Sequence, residues 1–391
     1  MADKTALVVG GTGPVGPFIV EGLVERGYDV TILHRGFHEV PFKYPVEHIH
    51  GDAYFKEEFQ KALGSRTFDL VVAMYGRLRY VAEVCFRRTG RFIAVGAGSP
   101  DDQRLPIYDW AFPFGGRQDS MILAIGKIGQ RIVESRELVL GMHDAKDFNV
   151  TYFGFPNLYG PRQPGPMEWN IMRRILDGRR RFILLDGGLH IHHRPYVENA
   201  AYPVLLAVDK PEVSAGQFYA CAEEAMPTDR YRLQLIVEAM GVPWDEIETY
   251  SFPFELGVPG WWWGAGDFRY AIEGRPPHLR HTTVSLDKLK RDLGYHDLVP
   301  LDEGYMRAVR WLLENEWAQK EAEEQLGDPF DYRAEDAYIE AYKEFARKLE
   351  AIPFAGFTHV HEYAHPQRAW QEGPTATIAE PKTARGQARD R

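Results

Sequence analysis

Cysteine is scarce: Cys85 and Cys221 are the only two in 391 residues. That excludes a disulfide framework and fits a reducing compartment. Long apolar runs are missing too, none approaching the roughly 18 residues of a spanning helix. No charged-then-apolar leader precedes the strand-like residues 5–9. Positive charge is in deficit, 46 Lys and Arg against 56 Asp and Glu, a formal −10. A nucleic-acid binder relying on overall charge is therefore not expected. These shortages point to a cytoplasmic protein with neither membrane nor nucleic acid as partner.

What is present is ordinary globular composition with an aromatic surplus, 45% hydrophobic and 13% aromatic. A disordered or collagen-like chain is excluded. The length suits two domains, or one large α/β domain with an appendage, and supplies a core that needs no disulfide or structural metal. Strand and helix patterns alternate through the first half. Strands are expected at 6–9, 28–33, 46–50, 68–74, 91–95 and 149–153, with helices over 78–88 and 119–140 between the later ones. Such spacing implies parallel βαβ units with right-handed crossovers.

Gly10, Gly13 and Gly16 stand between the first strand and a helix whose apolar residues, Phe18, Ile19, Leu23 and Val24, recur at helical spacing. Gly10 suits a tight turn, Gly13 a close approach to a pyrophosphate, and Gly16 close helix–strand packing. The helix N-terminus offers free N–H groups and partial positive charge. Thr12, Pro14 and Val15 complete this loop. An NAD site places Asp or Glu at the end of the second strand, but here His34-Arg35-Gly36 stands there. Arg35 suits a 2′-phosphate, so NADP is expected over NAD; the alternative is a solvated turn residue. Asp52 is either an acceptor for the adenine amino group or a helix N-cap. Ala53 and Met74, beside it and at the end of the fourth strand, join the expected cofactor set.

The order of motifs resembles the extended short-chain dehydrogenase/reductases, the NAD-dependent epimerase/dehydratase family. The glycine loop and Gly51-Asp52 carry the resemblance first. Asn157-Leu158-Tyr159-Gly160-Pro161, Tyr196-Val197-Glu198-Asn199-Ala200, the segment Ser285 to Tyr295 and Leu301-Asp302-Glu303-Gly304 follow in the family's order. The resemblance spans residues 5–315. It implies an α/β fold, a Rossmann-type doubly wound parallel sheet with a smaller C-terminal substrate domain. The implied division is 1–160 with 195–215 for the dinucleotide, and 161–194 with 216–319 for the substrate. Residues 320–365 form a helical extension outside the resemblance, and 366–391 a mobile tail.

The family pairs Tyr-x-x-x-Lys on the long helix with a Ser or Thr after the fifth strand. Positions i and i+4 share a helix face, so both side chains meet one ligand. Lys127 matches the lysine, implied to hold the nicotinamide ribose and to lower the tyrosine pKa. Leu123 occupies the tyrosine position, and no tyrosine lies between Asp119 and Leu140. Ser99 is the hydroxyl nearest the Ser/Thr position. Replacement proton donors or substrate contacts are sought at Arg77, at Tyr108 and in His190-Ile191-His192-His193. Each has a bland alternative as a solvated or packing residue. His192 stands where nucleotide-sugar members carry a diphosphate-gripping arginine, and a titrating imidazole there suits the missing acid. No acidic or thiol ligand in sequence completes that run as a metal set, so no metal is expected. Trp261-Trp262-Trp263 cannot all face one core, and Trp262 is assigned to the substrate.

The resulting expectation is an NADP-dependent oxidoreductase acting on a small, partly apolar or aromatic molecule. Its proton donor is not the family tyrosine. Alternatives are an epimerase or isomerase with tightly bound NAD(P), and a non-catalytic NADP-binding regulator or scaffold. Residues 331–349 present an apolar stripe, Tyr338, Ile339, Tyr342, Phe345, Ala346 and Leu349. It docks either in cis, the simpler arrangement, or on a second copy in a homodimer.

Overall fold

The computed structural model describes residues 4–98, 120–191, 193–253, 283–326 and 328–355, excluding the side chains of 120–129. Seven parallel strands form the main sheet in the order β3-β2-β1-β4-β5-β6-β8. They are β1 (Lys4–Val9), β2 (Tyr28–His34), β3 (Glu47–His50), β4 (Leu70–Ala73), β5 (Arg91–Ala97), β6 (Asn149–Phe155) and β8 (Phe218–Ala220). The order turns at β1, which pairs with both β2 and β4, so the two halves wind outward from there. That reversal opens a crevice at the carboxyl ends of the strands. The expected Rossmann-type fold is therefore observed.

The reason lies in the strands' composition. Ala6, Leu7, Val8, Val9, Val71, Val72 and Ala73 are all buried, as central strands covered on both faces require. Connecting helices α1 (Gly16–Glu25), α2 (Lys56–Leu63), α3 (Leu78–Cys85), α4 (Ser120–Gly141) and α6 (Val197–Asp209) make the crossovers possible. The third strand lies within one residue of its expected bounds, and α6 falls inside the expected 195–215.

A second, two-stranded parallel sheet joins β7 (Arg181–Leu185) to β9 (Glu248–Phe252). Around it come α5 (Met167–Leu176), α7 (Asp229–Ala239), α8 (Asp287–Leu293), α9 (Leu301–Glu314) and α10 (Glu316–Leu326). Helix α5 packs on α7, α9 and α10. Two of the sequence motifs meet at the join between the sheets. The Val197 N–H donates to the Tyr159 carbonyl at 3.0 Å, and the Tyr159 N–H to the Pro195 carbonyl at 3.2 Å. Tyr159 stacks on Tyr305 with ring centroids 4.3 Å apart. Beside them the buried Arg194 pairs with the buried Glu168 at 2.8 Å and donates to the Leu158 carbonyl. Burying both charges is tolerable only because each is paired.

The chain divides into two compact units, Met1–Phe330 and Asp331–Arg391. Both sheets belong to the first. In the second, α11 (Tyr332–Glu350) begins at Asp331, whose side chain accepts the Ala334 N–H at 3.0 Å. The stripe's distal residues Phe345 and Leu349 are exposed. Cys85 and Cys221 are free and buried, and burial pushes the Cys85 thiol up to about 12. Among the described residues no helix is long and apolar enough to cross a membrane.

Candidate functional site

A cavity of about 1060 Å³ opens at the carboxyl ends of β1, β2, β4, β5 and β6. The glycine loop forms its floor. Gly10 turns with φ +94°, and a Cβ there would collide with Tyr75. Gly16 lies against the Gly11 backbone, where a Cβ would overlap the carbonyl oxygen. Both glycines are thus required by the protein's own packing. Gly13 differs, because a Cβ there would meet only the Gly10 oxygen at 3.6 Å. Its missing side chain leaves room toward the cavity, as a ligand approaching the backbone requires.

At the start of α1 the Gly16 N–H donates to the Gly13 carbonyl at 3.1 Å and Pro17 carries no N–H, so what the loop offers is the helix dipole rather than a row of free N–H groups. Val15 at the N-cap supplies no side-chain acceptor, and the first turn carries no acid. The resulting positive end suits an anion. Gly10, Thr12, Gly13, Pro14 and Val15 line the cavity, while Gly16 sits just behind it in α1.

Arg35 joins the same wall. Its guanidinium lies 5.0 Å from the Phe37 ring centroid and 5.4 Å from that of Tyr75. Cation–π contacts on two rings orient it without neutralising it. Burial raises the Tyr75 pKa, and Arg35 opposes that rise. His34 is buried at the end of β2; burial lowers its pKa, with Glu39 opposing and His48 and His50 adding to the fall. No acid occupies the end of β2, where an NAD site would place one.

The remaining expected residues scatter. Met74 lines the cavity, but Asp52, Ala53 and Arg77 do not. Asp52 accepts the Tyr54 N–H at 2.9 Å, an Asx turn rather than a cap, since the N-cap of α2 is Phe55. Ala53 is buried under Gly76. Arg77 is exposed, 5.5 Å from the Tyr80 ring centroid. His193 is buried with both ring nitrogens engaged. Its Nδ1 accepts the Val284 N–H at 3.0 Å and its Nε2 meets the Glu223 carbonyl. Nothing is left on that imidazole for a substrate. Lys127 falls on α4, but its side chain, like that of Leu123, lies outside the described residues. Ser99, Tyr108, His192 and Trp261 to Trp263 lie outside them as well.

The sequence reading missed part of this wall. Arg162 lines the cavity, half-buried, and its pKa is lowered by desolvation. Trp311 and Trp317 close the same side, with Trp317 stacked on His38 at 6.3 Å between centroids. Trp317 and Glu321 come from α10, which the expected division at residue 319 cuts between the substrate part and the extension. Arg162 follows the Asn157-Leu158-Tyr159-Gly160-Pro161 motif directly, so that motif was the available signal.

No family model matches the chain. Over 175 residues it is 23% identical to a dTDP-glucose 4,6-dehydratase of Streptomyces griseus, covering 44% of this chain and 46% of the relative. The match thus spans about half the length of that curated relative. Among solved structures, an epimerase of Methanothermobacter thermautotrophicus superposes with a TM-score of 0.59 at 17% identity, covering 81% of this chain and 94% of the other. A Bacillus anthracis dTDP-glucose 4,6-dehydratase in complex with NAD gives 0.59 at 14%, covering 81% and 99%. The Thermotoga maritima UDP-glucose 4-epimerase with UDP-glucose gives 0.58 at 16%, covering 79% and 99%. At such identities the likeness is one of fold.

Proposed function

From a chain with the fold of the extended short-chain dehydrogenase/reductases, the NAD-dependent epimerase/dehydratase family, we propose an NADP-dependent oxidoreductase acting on a small, partly apolar or aromatic molecule. The observation that carries the reading is the joint placement of Gly13, the uncapped start of α1 and Arg35 on one cavity wall. An open backbone and a helix N-terminus suit a pyrophosphate. An unneutralised guanidinium suits a further phosphate. These residues fit a dinucleotide, which when bound supplies the hydride chemistry.

The chain's own part is to bind, orient and handle the proton. Lys127 is assigned to the nicotinamide ribose, with Met74 beside the dinucleotide. Leu123 at the tyrosine position has no proton to exchange, which removes roughly 10²–10⁴-fold of proton-transfer catalysis unless another group serves. Ser99 and His192 are assigned that role. Tyr108 and Trp262 are assigned to the substrate, and the aromatic content of that half supports an apolar or flat molecule. A partner beyond the small molecule is left to the α11 stripe, in cis or in a homodimer.

A second reading has support from the relatives named above, which are dehydratases and epimerases. In it the cofactor stays bound and is oxidised and reduced within one turnover. One experiment separates the two. The purified chain is assayed for bound nucleotide, then for NADPH consumption with ketones, enones and imines. Net consumption with nucleotide-free protein supports the reductase. Copurified nucleotide with product formed and no net consumption supports the internal redox cycle. Binding without turnover on any substrate overturns both and leaves a non-catalytic NADP-binding regulator.

A further inference from the structure

Three imidazoles and one carboxylate converge at the edge of the main sheet. His34 ends β2, and His48 and His50 lie two apart on β3, so they share a face. The parallel register sets Ile32 beside His48 and His34 beside His50, which brings all three rings to that face. Glu39 reaches them from the 35–46 connection. The His34 Nε2 lies 3.1 Å from the His48 Nδ1. Glu39 Oε2 is 3.4 Å from the His48 Nδ1, and Oε1 is 3.7 Å from the His50 Nε2 and 3.9 Å from the His34 Nε2. All four donor atoms fall within 4.8 Å of one another.

Those separations have a simple chemical meaning. A tetrahedral zinc with bonds of about 2.0–2.2 Å holds neighbouring donors about 3.3–3.6 Å apart. The His34–His48 separation and the three to Glu39, 3.1 to 3.9 Å, straddle that value, and no donor pair exceeds 4.8 Å, so closing on an ion takes shifts of about an ångström or less. The His34 ring lies at 76° and 87° to those of His48 and His50, so it stacks flat on neither. Among the described residues Glu39 has no lysine or arginine partner. His34 is a buried anchor while Glu39 and His50 are exposed, which leaves an entry path. One adjustment is needed. The Gly36 N–H now donates to the His34 Nδ1 at 3.2 Å. Coordination through Nε2 places the ring proton on Nδ1, so this amide must turn away. Gly36 is exposed with φ +80°, in a turn free to do so.

We infer that His34, Glu39, His48 and His50 form a four-ligand site for a divalent transition-metal ion of the zinc class. Imidazole and carboxylate ligands suit this class, and four protein ligands make a closed, structural site. Bound there, the ion fastens the 35–46 connection to the ends of β2 and β3. His34, Phe37, His38 and Glu39 line the cavity, so the ion fixes one of its walls. The inference rests on side chains the hydride reading does not use.

The test uses the full chain, stripped with chelator and titrated with zinc by calorimetry and with cobalt by visible absorption. The expected result is one equivalent per chain and the intense bands of a tetrahedral cobalt centre. The double variant His48→Ala/His50→Ala lowers affinity by about 100-fold or more, and Glu39→Gln by at least about tenfold. His50 is exposed and His48 partly so, and circular dichroism confirms that the variants fold. His296→Ala, an exposed histidine elsewhere, keeps one equivalent. Zinc also slows trypsin cleavage after Arg35 and Lys43 in the original chain but not in the double variant. Absence of saturable binding overturns the inference, and so does binding or protection that survives His48→Ala/His50→Ala.

Discussion

Replacing Arg35 by alanine gives the sharpest test of cofactor choice. In the free protein its guanidinium is already held over Phe37 and Tyr75, at 5.0 and 5.4 Å, so little side-chain entropy remains to be lost on binding. A charge-assisted hydrogen bond to a phosphate contributes about 1.5–3 kcal/mol, or roughly 10- to 150-fold in Kd. Arg35→Ala is therefore expected to weaken NADPH by about that factor. NADH, which has no 2′-phosphate, should change less than about threefold, the residue of lost packing. Arg35→Lys keeps the charge but not the planar fork or the stacking, and should fall between. Titration of intrinsic tryptophan fluorescence with each nucleotide measures both constants, and added salt should narrow the NADPH advantage. Equal affinities for NADPH and NADH in the unchanged protein would refute the reasoning. An equal loss of both in Arg35→Ala would make Arg35 part of the wall and no more.

Two glycine substitutions should separate folding from binding. Gly13→Ala adds a methyl whose nearest neighbour is 3.6 Å away, so the melting temperature should hold while dinucleotide affinity drops at least about tenfold. Gly16→Ala forces a methyl onto the Gly11 carbonyl and should cost about 1–3 kcal/mol in a denaturant melt. The reverse pattern would place the ligand elsewhere. The buried Glu223, which accepts the Tyr196 N–H, gives a pH prediction. Burial raises its carboxyl from 4.5 to about 8. Between those values the folded chain keeps a proton that the unfolded chain has released. Its contribution is therefore full below pH about 4.5, is lost as pH rises through about 8, and amounts to no more than about 5 kcal/mol. Glu223→Gln should flatten that part of the stability–pH profile and leave the share of Asp229, raised by burial to about 7. An unchanged profile would count against the shift.

Much of this protein was legible in its sequence because the signals were local. The run Ala6 to Val9, the glycines after it and the helical spacing behind them fix a strand, a turn and a helix through neighbouring residues alone. Tyr159 and Tyr196 were legible as motif members but not as partners. Their meeting joins segments 37 residues apart in number, and only the folded backbone sets that distance. His193 read as a titrating group, yet its two nitrogens are taken by Val284 and Glu223, both remote in sequence. The α10 residues at the cavity, and Glu39 among three histidines, were invisible for the same reason. Hydrophobic periodicity and glycine chemistry act between near neighbours, so the chain alone determined the parallel sheet and the glycine loop. Which distant side chains close the cavity, satisfy one another or converge on a metal depends on strand order and register. Those are set by packing across the whole molecule, and only the tertiary structure decided them.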